Sequence, residues 1–88
     1  MIGNPEHIEA VRRGTESLAA WRAAHPGVSL DLKGAYLQGL DLRGADFSRC
    51  DLKAADLRDM KLAGANFFES DLCDTKLSGA DLDGANFS

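Results

Sequence analysis

The sequence predicts an all-β solenoid of three coils behind an N-terminal α-helical cap. Three observations carry this. A large apolar residue stands on every fifth position from Leu32 to Phe87 without a miss. Phenylalanine takes that position only at 20-residue intervals, at Phe47, Phe67 and Phe87. Residues 1–29 do not follow the period and carry helix signals instead. The chain thus divides into a cap over 1–29 and twelve five-residue repeats over 30–88.

The cap comes first. Asn4-Pro5-Glu6 reads as a helix start, with Asn as N-cap, Pro at the first helical position and an acid in the first turn. Ile8, Val11, Leu18 and Trp21 keep a broadly helical spacing. Gly14 kinks the run or splits it into two short helices, and His25-Pro26-Gly27 ends it. The end of a solenoid leaves core side chains and strand groups uncovered, so an apolar helix laid across it is the expected cover. Trp21 is expected as the plug, with Leu18 beside it.

The repeats follow. The large series is Leu32, Leu37, Leu42, Phe47, Leu52, Leu57, Leu62, Phe67, Leu72, Leu77, Leu82 and Phe87. Two residues before each stands a second apolar or neutral residue, most often Ala, and a polar residue lies between them. A period of five fits neither a helix nor a continuous strand. It fits a three-residue strand, first and third residues inward, joined to a two-residue corner. Glycine suits the corner at Gly34, Gly39, Gly44, Gly64, Gly79 and Gly84. Four repeats make one turn, so residues 20 apart stack, the three Phe form one column, and the solenoid is ~15 Å tall.

The stretch GADFSRCDLKAADLRDMKLAGANF resembles the pentapeptide-repeat proteins, whose consensus is A(D/N)LXX. The resemblance covers residues 30–88 and implies a right-handed quadrilateral β-helix with Leu or Phe at the inward centre. Leu30, Leu40, Met60 and Thr75 depart from the small inward Ala, and Leu30 with Leu40 implies a wider first coil. LAAWRAAHPG is similar to helical lead-ins of other bacterial members.

Chemistry is sparse. His7 and His25 lie outside the repeats with no nucleophile or acid at catalytic spacing, and there is no phosphate-binding glycine loop, so no enzyme is expected. No cofactor is expected. Asp31, Asp51 and Asp71 stack on one side and could meet a cation, but Asp there is expected to bond neighbouring backbone, so no metal is expected. Cys50 should point inward and Cys73 outward, which opposes a disulfide. Phe68 follows the inward Phe67 and should face water at a corner, either harmless or a contact anchor helped by Tyr36.

The formal charge is −4, against a direct nucleic-acid ligand, and no apolar run is long enough for a membrane span. No secretory signal is read at MIGNPEHIEA, and a cytoplasmic location is the default. Leu72, Leu77, Leu82 and Phe87 would face water across the mouth of the last coil. A homodimer through that coil, a missing further segment or a foreign partner would each cover it, and the dimer is the expectation. The resemblance implies two functional classes: a protein-interaction or scaffold module of unknown partner, and a DNA-mimicking DNA gyrase or topoisomerase binder. Against the second stand the ordinary repeat origin of most Asp residues, the seven interspersed bases of residues 30–88, and a dimer only ~30 Å long.

Overall fold

The computed structural model describes residues 2–88. Two helices form before the repeats: α1, Pro5–Arg12, and α2, Thr15–Ala24. Asn4 caps α1 by accepting the Glu6 N–H on its side-chain oxygen (2.9 Å), and Pro5 opens the helix. Gly14, at φ 108°, breaks the run in two. The second helix ends at His25, and Gly27 turns the chain at φ 83°.

From residue 31 the backbone repeats one motif: a bridged residue, then a two-residue turn. Every bridge is parallel and joins residues 20 apart, as in Asp31 to Asp51 to Asp71 and Asp46 to Asn66 to Asn86. The five- and twenty-residue periods are therefore the register of the coil. The expected three-residue strands do not form. Among the described residues the bridges are isolated, one per side, and no sheet is built. The corners leave too few extended residues between them for a longer ladder.

The core lies inside the coil. The large series is fully buried from Leu32 through Phe67, with Leu30, Ala35, Ala45, Cys50, Ala55, Met60 and Ala65 beside it. Val11 and Leu18 of the helices join the same core. Leu30 is fully buried, while Leu40 is only partly so, packed at the core's margin. The phenylalanines form one column, with ring centroids 5.3 Å and 5.0 Å apart and planes nearly parallel. The polar inward residues are satisfied: the Thr75 hydroxyl donates to the Leu52 carbonyl (2.7 Å) and that of Ser70 to the Phe47 carbonyl.

All six corner glycines have positive φ, between 66° and 80°. Five other corners adopt the same left-handed backbone without glycine: Arg49, Ala54, Asp59, Glu69 and Asp74, at φ 55–60°. The coil geometry demands the conformation whatever the side chain, at a cost of about 1–2 kcal/mol for an L residue.

Candidate functional site

Two surfaces of the coil have chemistry of their own: the edge facing the helices and the edge formed by residues 70–88. Both follow from a polarity in the backbone. At each junction between coils, eight N–H groups donate forward, from the large apolar residue and the second corner residue of each side. Only four donate backward, from the outward residue, as Asp51 N–H does to the Leu30 carbonyl (2.9 Å). The upstream edge of any coil is therefore rich in acceptors and the downstream edge rich in donors.

The lead-in meets the upstream edge with donors. Backbone N–H groups of Gly3 and Asn4 donate to the carbonyls of Lys33 (2.7 Å) and Asp31 (3.0 Å). Arg12 donates to the Tyr36 carbonyl, and the Thr15 hydroxyl to that of Arg43 (3.0 Å). The Arg22 guanidinium spans the fourth side, donating to the carbonyls of Asp46 (3.0 Å) and Ser48 (2.8 Å). It also lies 3.3 Å from Cys50 Sγ and 3.8 Å from the Asp46 carboxylate. One acceptor is supplied in return: His7 Nδ1 takes the Asp31 N–H at 2.9 Å. Leu18, expected beside the plug Trp21, is fully buried. Trp21 is only partly buried; its ring stacks on His25 (4.0 Å), meets His7 edge-on (4.9 Å), and its indole N–H donates to Glu6 (3.2 Å). Val11 takes the second buried place instead, because α1 as well as α2 lies on the coil.

The downstream edge is apolar and unsatisfied. Leu72, Leu77 and Leu82 are partly buried, and Phe87 is 48% exposed. Among the described residues, no acceptor meets the N–H groups of Leu72, Leu77, Leu82 or Phe87, whose equivalents one coil earlier all donate forward. This coil, with Glu69 just before it, also holds the charge. Residues 69–88 carry five acids (Glu69, Asp71, Asp74, Asp81, Asp83) and one base (Lys76), the whole formal −4 of the chain. All five acids are exposed.

The four sides are ordered ladders. Side-chain oxygens of Asp31, Asp51 and Asp71 accept the N–H two residues on, and the Lys53 ammonium lies 3.8 Å from both Asp51 and Asp71. The stacked carboxylates are thus engaged with backbone and with lysine. Asp56, 8% exposed, chelates Arg58 at 2.9 and 2.7 Å, and that bonding holds its carboxyl down at about 2. Burial pushes the Cys50 thiol up to about 11, against the pull of Arg22, while Cys73 is exposed and free. Phe68 is not a bare corner residue. It is half-buried, with the Arg49 guanidinium 5.3 Å over its ring and Arg49 held by Glu69 at 3.0 Å. Tyr36 is 57% exposed, its hydroxyl donating to Gln38.

With this geometry the sequence comparison is decisive. The family profile described as Pentapeptide repeats matches in 8 copies over residues 31–67 and 50–88. The chain belongs to the pentapeptide-repeat family. No individually curated protein and no solved structure matches it. The family suggests a protein-interaction or scaffold module, and its members are generally non-enzymatic. No described helix is long and apolar enough to cross a membrane.

Proposed function

We propose that this pentapeptide-repeat chain is a non-catalytic interaction module that docks through the coil of residues 70–88. The reading takes residues 30–88 as the right-handed quadrilateral β-helix of its family, supported by the parallel bridges at a constant 20-residue offset. One observation carries the docking face: the partly exposed apolar mouth of Leu72, Leu77, Leu82 and Phe87 lies inside the coil that, with Glu69 at its start, holds the chain's net negative charge.

A second copy is the occupant this reading favours. The mouth is apolar, and a two-fold pairing would continue the phenylalanine column across the axis. Two acidic coils would then meet, so the association is strengthened by salt. Light scattering on the 88-residue chain at low and high salt tests this. A dimer that tightens with salt and is abolished by Phe87→Asp supports it; a monomer under both conditions overturns it.

The acidic coil favours a second reading, binding to a basic groove such as that of DNA gyrase in imitation of DNA. Arg49 beside Glu69 and Lys53 beside Asp71 break up the field and weigh against it. Inhibition or protection of gyrase supercoiling, lost when Asp71, Asp74, Asp81 and Asp83 become Asn, would support it. No effect at micromolar protein would exclude it.

A further inference from the structure

The two histidines of the lead-in have opposite hydrogen-bond roles. His25 Nδ1 faces the Trp21 carbonyl at 2.8 Å. A carbonyl only accepts, so that nitrogen carries the proton, and the bond survives when the ring becomes cationic. His7 Nδ1 faces the Asp31 N–H at 2.9 Å. A backbone N–H only donates, so this nitrogen must be bare, with the ring proton on Nε2. His7 is 9% exposed, held under Trp21, and cannot exchange that partner for water without moving.

We propose that His7 is a pH-sensitive latch between the helical lead-in and the first coil. Adding a proton to Nδ1 sets two N–H groups against each other and breaks the bond. The Asp31 N–H then has no acceptor, whereas its counterparts at Asp51 and Asp71 donate to the carbonyls of Leu30 and Cys50 whatever the pH. The released state binds one more proton, so acid favours it. The bond is present while the imidazole is neutral and is lost when the ring takes up a proton in acid.

Glu6 on α1 accepts the indole N–H of Trp21, whose ring meets His7 edge-on, and the Asp31 carboxylate on the coil accepts the Lys33 N–H. His25, beyond Trp21 on α2, stacks on the other side of the indole ring. His25 at the C-terminal end of α2 donates from Nδ1 to the Trp21 carbonyl in either charge state. Of the two lead-in histidines, only His7 therefore loses its bond on protonation. Release frees the side of the upstream edge that Gly3 and Asn4 also cover.

Amide exchange by NMR on the full chain tests the latch, with each rate divided by its intrinsic pH dependence. Between about pH 7.5 and 5.5, protection of the Asp31 amide falls roughly tenfold, the scale of one buried hydrogen bond. His7→Asn places an amide oxygen where Nδ1 stands, and in that variant protection stays flat. His25→Gln keeps the full pH response. A flat response in the unaltered chain, or a response in His7→Asn equal to it, overturns the proposal. Should His7→Asn fail to fold, the tautomer decides: imidazole nitrogen couplings that place the neutral proton on Nδ1 overturn the latch. A proton on Nε2, with the Asp31 loss seen in the unaltered chain, upholds it.

Discussion

Arg22→Met removes the strongest single tie between the lead-in and the coil while keeping an apolar side chain of similar length. The arginine side chain is 18% exposed and holds two backbone carbonyls on the upstream edge, at 3.0 and 2.8 Å. Hydrogen bonds from a charged donor contribute about 1.5–3 kcal/mol each. Both carbonyls lie at an edge, where water replaces part of the loss, and desolvation of the guanidinium is itself a cost that the variant escapes. The net destabilisation is therefore about 2–3 kcal/mol. With a urea slope near 1 kcal/mol/M for a chain this small, the midpoint falls by roughly 2–3 M. Trp21 fluorescence reports the lead-in and far-ultraviolet circular dichroism reports the whole, and both should shift together, since Val11 and Leu18 share the coil's core. A second readout is chemical. Arg22 lies over Cys50, which is 2% exposed with its thiol pushed up to about 11. In a Cys73→Ser background, Cys50 is unreactive toward a thiol reagent when Arg22 is present and becomes reactive in Arg22→Met. Arg22→Lys, with one point charge in place of a fork, falls between the two. A loss below about 0.5 kcal/mol with Cys50 still unreactive would refute the idea that these bonds hold the cap.

Three further outcomes follow from the coil. Phe67 is buried between two rings and Phe87 meets one, so Phe67→Leu costs about 2–3 kcal/mol and Phe87→Leu about 1 kcal/mol or less in urea denaturation; equal losses would contradict the column. Ala54 sits at φ 59°, and Ala54→Gly relieves that backbone, raising stability by about 0.5–1 kcal/mol after glycine's entropy is set against it. Gly44→Ala, at φ 70° with open space around the added carbon, lowers it by about 1 kcal/mol, and thermal melting reads both. Asp56 has its carboxyl lowered to about 2 by Arg58, so its contribution is complete above about pH 4 and is lost as pH falls through about 2. Arg58→Gln moves the acid-unfolding midpoint, followed by circular dichroism, to higher pH.

The coil was legible because its constraints are local and repeated. Each inward position recurs every five residues and each stacking partner every twenty, so Phe47, Phe67 and Phe87 announce both periods. Asn4-Pro5 and Gly14 likewise mark backbone needs that few residue types meet. The left-handed corners at Arg49, Ala54 and Glu69 were invisible, because no residue-type preference marks them, and Asp59 and Asp74 carry only the modest tolerance of Asp for that backbone. The strands were over-read, since a period of five does not reveal that a side has room for just one bridged residue. Arg49 over Phe68 needs the 20-residue register as well as a rotamer. The ties from Arg12, Thr15 and Arg22 to the first coil were also hidden. They join residues 24 to 28 apart through the packing of two short helices, and nothing in residue spacing encodes that angle.

The backbone polarity explains why the lead-in has the composition it does. An upstream edge offers eight carbonyls against four N–H groups, so its cover must be a donor. Two arginines, a threonine hydroxyl and two free N–H groups ahead of α1 answer that need, and the single acceptor, His7, meets one of the four N–H groups. The same rule, read in reverse, sets the terms at residues 70–88. Whatever meets that edge, further chain or another molecule, must bring acceptors together with apolar side chains. An upstream edge of another coil does so fully. A second copy meeting it by two-fold symmetry sets donors against donors, and its affinity must then come from Leu72, Leu77, Leu82 and Phe87. In such a dimer, Phe87→Asp abolishes association. Changes confined to the outward ladder, such as Asn86→Ser, leave it intact.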